Sequence, residues 1–177
     1  MNRTLQLILR HRIRALRMDT CGSALVEGTV LTPFLCVLFF GVFEFSYFFY
    51  EQHLVSTGVR DAARYLARTD DFTDPTAQTT AQNLAATGSA AGGAARRVSG
   101  FNPANVTFSF TSTDNSIGVS GLRPYRERIA TCGGPNSVRI INVTGSFTYA
   151  PLGFWSFFGF SVPTVSVTHS EPCIGRS

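Results

Sequence analysis

The fold is decided by residues 22–50, which read Gly-Ser-Ala-Leu-Val-Glu-Gly-Thr-Val-Leu-Thr-Pro-Phe-Leu-Cys-Val-Leu-Phe-Phe-Gly-Val-Phe-Glu-Phe-Ser-Tyr-Phe-Phe-Tyr. No Lys or Arg occurs from residue 23 to residue 59. The apolar run is long enough to cross a bilayer, which requires about 20 residues of helix. Two acids, Glu27 and Glu44, interrupt it. Because an unpaired charge inside a membrane costs about 2.5–3.5 kcal/mol, each acid is expected to have a partner or a function.

The basic residues are concentrated on one side of this run. Five of the 15 Arg precede Gly22, against a single acid, Asp19, and the chain contains no Lys. This is the positive-inside pattern, which predicts a cytoplasmic N-terminus and an exported C-terminal part. We therefore expect a single-pass protein of the inner (cytoplasmic) membrane with a periplasmic head. Nucleic acid is not an expected partner, because the basic excess lies beside a membrane segment and not on the head.

The helical pattern continues beyond the apolar run, so the helix is expected to extend into the head. An apolar stripe follows the helical period after residue 53, formed by Leu54, Val55, Gly58, Val59, Ala62, Ala63 and Leu66. We expect one helix from Ser23 to about Ala67. The predicted parts are a cytoplasmic basic leader (1–22), a transmembrane helix (23–50), its amphipathic continuation (51–68) and an extracytoplasmic head (69–177).

Glu44 is predicted to be an intramembrane or interfacial acid. It follows Glu27 by 17 residues, which is about 25 Å along a helix. That distance places Glu44 near the opposite face of the bilayer from Glu27. Its side chain is expected to extend towards the outer headgroups, beside the aromatic residues of 45–50, which suit an interfacial belt.

The head is predicted to be α+β, with a roughly three-stranded antiparallel sheet. Residues 76–87 suit a short helix, with Asp74 or Thr76 as its N-cap. Alternating strand patterns occur over 106–111, 138–149 and 162–168. A polar loop (113–137) separates the first two strands. The apolar segment 151–160 separates the last two, and it is expected to be core, membrane-facing or an interaction surface.

Cys132 and Cys173 both lie in the exported part, where oxidation is permitted. We predict a disulfide between them that attaches the C-terminal segment to a loop. Two unrelated thiols remain the alternative. A metal site with His169 would lack a fourth ligand, which structural zinc sites require.

Catalytic and cofactor motifs are absent from the sequence. There is no G-x-S-x-G, P-loop, dinucleotide-binding glycine motif or H-E-x-x-H. We therefore expect no enzyme, no catalytic residue, no metal, no cofactor and no small-molecule substrate.

Gly22 is followed by Ser23 and, at the fifth position, by Glu27. This arrangement, after a basic leader and before an apolar span, resembles the prepilin processing site, which a membrane aspartic peptidase cuts after Gly. Cleavage would create an α-amino group on Ser23, with a reference pKa of about 7.7–8.0. One helical turn separates it from Glu27, so in a bundle Glu27 can meet the amine of a neighbouring subunit and set the register. Alternatively, Glu27 simply lies at the cytoplasmic interface, in contact with water.

The sequence as a whole resembles the TadE-like family of minor pseudopilins from tight adherence (Flp, type IVc) pilus systems. The resemblance lies in the processing site with the Pro33-containing span, in 40–65 (Phe-Gly-Val-Phe-Glu, then Gly-Val-Arg-Asp-Ala-Ala-Arg-Tyr) and, more loosely, in 143–152. It implies processing by a prepilin peptidase, a role in pilus assembly, and other pilin and pseudopilin subunits as partners. The alternative is a signal-anchored extracytoplasmic binding module with an uncleaved N-terminus.

Overall fold

The computed structural model describes residues 20–114, 132 and 137–174 of the chain. Residues 1–19 of the predicted leader and most of the predicted polar loop 113–137 lie outside the described residues. The chain divides into two compact units at the Phe43–Glu44 boundary.

Helix α1 (Thr20–Ala67) runs without interruption through Pro33, which confirms the predicted single helix. Within the first unit its side chains are exposed and almost entirely apolar, with Val30 70% exposed and Phe34 65% exposed. The hydroxyls of Thr29 and Thr32 donate to helix carbonyls one turn back, at 2.7 and 2.6 Å. These two hydroxyls are therefore paired within the helix although they lie on an apolar surface. Among the described residues, α1 is the one helix long and apolar enough to cross a membrane.

The second unit is an α+β head, as the sequence predicts. After α1 come helix α2 (Pro75–Thr87), a 3-10 turn (Pro103–Asn105), strand β1 (Val106–Asp114), strand β2 (Ser137–Thr148), the one-turn helix α3 (Phe154–Phe157) and strand β3 (Thr164–Pro172). The three strands form one antiparallel sheet in the order β1-β2-β3.

The predicted strands are confirmed, but the third one begins later than expected. Strand β3 starts at Thr164 and not at Val162. Pro163 lies between them and has no N–H to donate to a sheet. Its carbonyl instead accepts a hydrogen bond from the N–H of Tyr149 at 3.1 Å, just beyond the end of β2.

The core lies between the second part of α1, helix α2 and one face of the sheet. Burial alternates along β2, as expected for a strand with one face against a core. The core cluster is formed mainly by Val55, Val59, Ala62, Ala63, Leu66, Phe72, Ala81, Ala85, Phe101, Ile141, Val143, Phe147 and Tyr149. The apolar stripe predicted on α1 is therefore the face that the head buries.

Helix α2 has clear local boundary signals. The Asp74 carboxylate accepts hydrogen bonds from the N–H groups of Thr76 and Ala77, both at 3.3 Å, so Asp74 and not Thr76 is the N-cap. Gly88 ends the helix in the left-handed conformation, with φ of 77°.

Gly58 allows α1 and α2 to approach closely. A Cβ placed on Gly58 would overlap the carbonyl group of Ala85, so the two backbones meet there. We expect Gly58→Ala to lower the free energy of unfolding of the head by about 2 kcal/mol, because the backbone contact must open. Denaturation of the full chain in micelles, followed by Trp155 fluorescence, measures this.

Gly28→Ala is the matched control for Gly58→Ala. It makes the same substitution in the same helix, and no described atom lies within 4 Å of its new Cβ. Its unfolding midpoint is expected to stay unchanged. A Gly58→Ala protein as stable as Gly28→Ala would contradict the close packing of the two helices.

Candidate functional site at Glu44

Glu44 lies on α1 with its side chain buried in the head, only 2% exposed. Its Oε1 accepts a hydrogen bond from the Tyr149 hydroxyl at 2.9 Å and another from the Leu152 N–H at 3.0 Å. Its Oε2 accepts a longer one from the Phe154 N–H at 3.5 Å. All three partners donate, and the two carboxylate oxygens of Glu44 are the acceptors. We call Glu44, Tyr149 and these two N–H groups the carboxylate site.

The local sequence explains why these donors are available. Strand β2 ends at Thr148, so the N–H groups that follow have no strand to pair with. Pro151 and Gly153 form the turn, and Gly153 has φ of 132°, in the region that favours glycine. Leu152 and Phe154 follow Pro151 and Gly153, respectively, in the chain, and both donate their N–H groups to Glu44. Hydrogen bonds to a charged acceptor are among the stronger ones in proteins.

Tyr149 remains a neutral donor in this environment. Burial of its phenol raises the pKa, and the hydrogen bond to Glu44 and the negative charge of Glu44 raise it further. Aromatic rings of α1 enclose it, with the centroid of Phe48 at 5.2 Å and that of Tyr47 at 6.2 Å. The hydroxyl is therefore held towards Glu44.

The site differs from the sequence-based expectation in the direction of the Glu44 side chain. The sequence predicts a carboxylate that extends towards lipid headgroups, but the side chain is buried in the head, where Tyr149, Leu152 and Phe154 donate hydrogen bonds to it. The position of Glu44 at a membrane interface stays a prediction. Sequence reasoning also missed Glu51, which is 2% exposed. Glu51 follows Glu44 by seven residues, which places both acids on one face of the helix. This spacing is the sequence signal that could have predicted the burial of Glu51.

The predicted processing residues lie in the first unit. Gly22, Ser23 and Glu27 are exposed on α1, with Glu27 about one turn after Ser23. No described atom lies within 4 Å of a Cβ placed on Gly22. Cleavage after Gly22 stays a prediction.

Cys132 and Cys173 form the predicted disulfide, and both are buried. Backbone hydrogen bonds flank it, because Arg139 donates to Cys132 at 3.0 Å and Cys173 donates to Arg139 at 2.8 Å. The alternative of two free thiols is therefore wrong, and so is a metal site that uses both sulfurs. His169 instead contacts the Glu171 carboxylate, with Nε2 at 3.0 Å from Oε1.

Removing the disulfide is expected to destabilise the head. The bond closes a loop with a sequence separation of 41 residues. A Cys132→Ala/Cys173→Ala protein is expected to lose roughly 3 kcal/mol of unfolding free energy, since a crosslink restricts the unfolded chain. Chemical denaturation with and without reductant checks this, and Cys36→Ala, at an exposed free cysteine, is the control. Equal midpoints for the double variant and the parent would contradict the prediction.

One comparison with known proteins gives a match. The TadE family model, described as TadE-like protein, matches residues 22–64, less than half of the chain. The chain is thus TadE-like over this segment, consistent with a TadE-like protein of Tad pilus systems. The match includes Gly22, Glu27 and Glu44, whereas the looser resemblance over 143–152 lies outside it and stays a prediction. No curated protein and no solved structure matches the chain.

Proposed function

We propose that the protein is a minor pilin or pseudopilin that takes part in assembly of a tight adherence (Flp) type IV pilus. One observation carries this proposal. The TadE-like segment, residues 22–64, lies within helix α1, and the part of α1 that belongs to the first compact unit is apolar and exposed. At its start that segment has the Gly22, Ser23 and Glu27 pattern of a prepilin processing site.

The subunit acts by packing its helix against other helices and by contacts of its head surface. Apolar side chains such as Leu25 and Phe34, 72% and 65% exposed, require lipid or protein around them. After cleavage the new Ser23 amine pairs with Glu27 of a neighbouring subunit, which gives this acid a partner inside the helix bundle. The role is structural and not enzymatic, in keeping with the family.

The proposed location is the inner membrane, with residues 23–50 spanning it and residues 51–68 leading into the head. The leader, residues 1–22, is cytoplasmic and the head, residues 69–177, is periplasmic. The partners are the prepilin peptidase, which removes the leader, and the other pilin and pseudopilin subunits of the machinery. The charge layout of the N-terminal segment supports this orientation.

The experiment that tests this proposal determines the N-terminus of the protein purified from membranes of its own host. Mass spectrometry is expected to find a chain that begins at Ser23. A host that lacks the prepilin peptidase is the control and should yield the uncleaved chain. An uncleaved chain with the peptidase present would overturn the proposal and favour a signal-anchored binding module.

A further inference from the structure

Residues 151–162, which we call the aromatic loop, form an exposed apolar surface on the head. Phe157 is 80% exposed and Phe160 is 58% exposed. The other large exposed side chains of the loop are Leu152, Phe158 and Val162. No Asp, Glu, Lys or Arg occurs anywhere from residue 140 to residue 170. Contiguous exposed apolar surfaces of this kind mark interaction sites.

Several backbone N–H groups of the loop donate hydrogen bonds within the loop or to Glu44. The N–H of Phe157 donates to Gly153 at 2.9 Å and that of Phe160 donates to Trp155 at 2.9 Å. The N–H groups of Phe158 and Gly159 also donate within the loop, and those at the start of the loop donate to Glu44. Lipid supplies few hydrogen-bond partners, so irregular backbone enters it only when such groups are paired.

The loop also lies against the part of α1 that follows the apolar run. The rings of Phe45 and Trp155 are in contact, with centroids 5.8 Å apart. Glu44, beside Phe45, is the first charged residue after the charge-free residues 28–43. If residues 23–50 span the bilayer, Glu44 and Phe45 lie in its outer leaflet, about 9 Å before the end of the span. The aromatic side chains of 45–50 then lead to the outer interface, where such residues are enriched.

We propose that the aromatic loop inserts into the outer-leaflet interface and gives the head a second contact with the membrane. The proposal rests on the proposed function only in that α1 must span the bilayer. The occupant is lipid, because the loop contacts α1 at Phe45, two residues after the end of the charge-free residues 28–43. The loop has no basic residue, so insertion does not require anionic headgroups.

Trp155 is the single tryptophan of the chain, which allows a clean fluorescence experiment. The full chain carrying Trp155→Phe is reconstituted in phosphatidylcholine vesicles whose acyl chains are brominated both near the headgroup and near the bilayer centre, since bromine quenches nearby tryptophan. Three single-tryptophan proteins are compared: Phe157→Trp in the loop, Phe39→Trp in the span, and Phe110→Trp. Phe110 pairs with Ile141 in the sheet, eight residues along β2 from Tyr149 or about 25 Å.

We expect several-fold quenching of Trp at positions 157 and 39 and almost none at position 110. Phe160→Trp, also in the loop, is a second probe that should behave like Phe157→Trp. Quenching at 39 without quenching at 157 or 160 would overturn the loop proposal and leave the anchor intact. A blue-shifted, unquenched signal at 157 would indicate a protein partner and would also overturn it. No quenching at any position would mean that α1 does not span the bilayer, and then both proposals fail.

Discussion

Replacing Glu44 by alanine is expected to lower the free energy of unfolding of the head by about 4 kcal/mol. The substitution leaves the Tyr149 hydroxyl and the Leu152 N–H without the acceptor that they bond at 2.9 and 3.0 Å. The buried Tyr149 hydroxyl left unpaired costs about 1–3 kcal/mol, the part-buried Leu152 N–H adds a smaller loss, and the truncated side chain also leaves a small cavity. Because the donors lie in the 149–154 turn, the adjacent Trp155 should report the change.

Two further variants separate the contribution of the Tyr149 hydrogen bond from the rest of this loss in unfolding free energy. Tyr149→Phe removes one donor and leaves Glu44 two N–H partners, so we expect a loss of about 1–2 kcal/mol. The double variant Glu44→Ala/Tyr149→Phe should lose less than the sum of the two single losses, because the shared hydrogen bond is then counted once. Denaturation of the full chain in micelles, followed by Trp155 fluorescence, measures all of them.

Glu27→Ala is the matched control, since it removes an exposed acid from the same helix. It should leave the stability of the head unchanged. A Glu44→Ala protein as stable as Glu27→Ala would show that the carboxylate site contributes nothing to holding the head on α1. Strictly additive losses in the double variant would show that Glu44 and Tyr149 act independently.

The long helix and the sheet could be predicted because their signals are local. The stripe of Val55, Val59 and Ala62 repeats with the helical period, and all three are fully buried. Likewise, Asp74 and Gly88 mark the ends of α2 through contacts with their immediate neighbours. Such patterns depend on a few consecutive residues and can be read without knowledge of the tertiary structure.

The carboxylate site could not be predicted, because its parts are far apart in the sequence. Glu44 and Tyr149 are separated by 105 residues, and no periodicity connects them. An acid within an apolar run indicated only that a partner was needed. We assigned that partner to headgroups because the sequence does not reveal that the chain after β2 returns to α1. The start of β3 was missed for a similar reason, since the Pro163 carbonyl pairs with Tyr149 outside the sheet ladder.

Gly22→Leu is expected to abolish removal of the leader. If a peptidase cuts after residue 22, it must accommodate that side chain next to the scissile bond, and glycine presents none. In this chain no described atom lies within 4 Å of a Cβ at position 22, so the substitution should not disturb α1 itself. Gly28→Leu is the matched control, because the same bulky side chain also enters open space there. Mass spectrometry of membrane-extracted protein should find the leader retained only in Gly22→Leu.

Substitution of Glu27 distinguishes between the two hypotheses for this protein, a structural pilus subunit and a module tethered to the membrane. With Glu27→Gln the side chain keeps its size but loses the charge that would pair with the Ser23 amine of a neighbouring subunit. We expect loss of piliation and adherence, because α1 then has no charge pair to set its register against neighbouring helices. Glu27→Asp retains the charge and should restore part of the piliation and adherence. Phe49→Leu, at an exposed position of the same helix, controls for general changes to the helix surface. Normal pili on cells with Glu27→Gln and on cells with Gly22→Leu would leave α1 as a plain anchor and remove the basis for a pilin role.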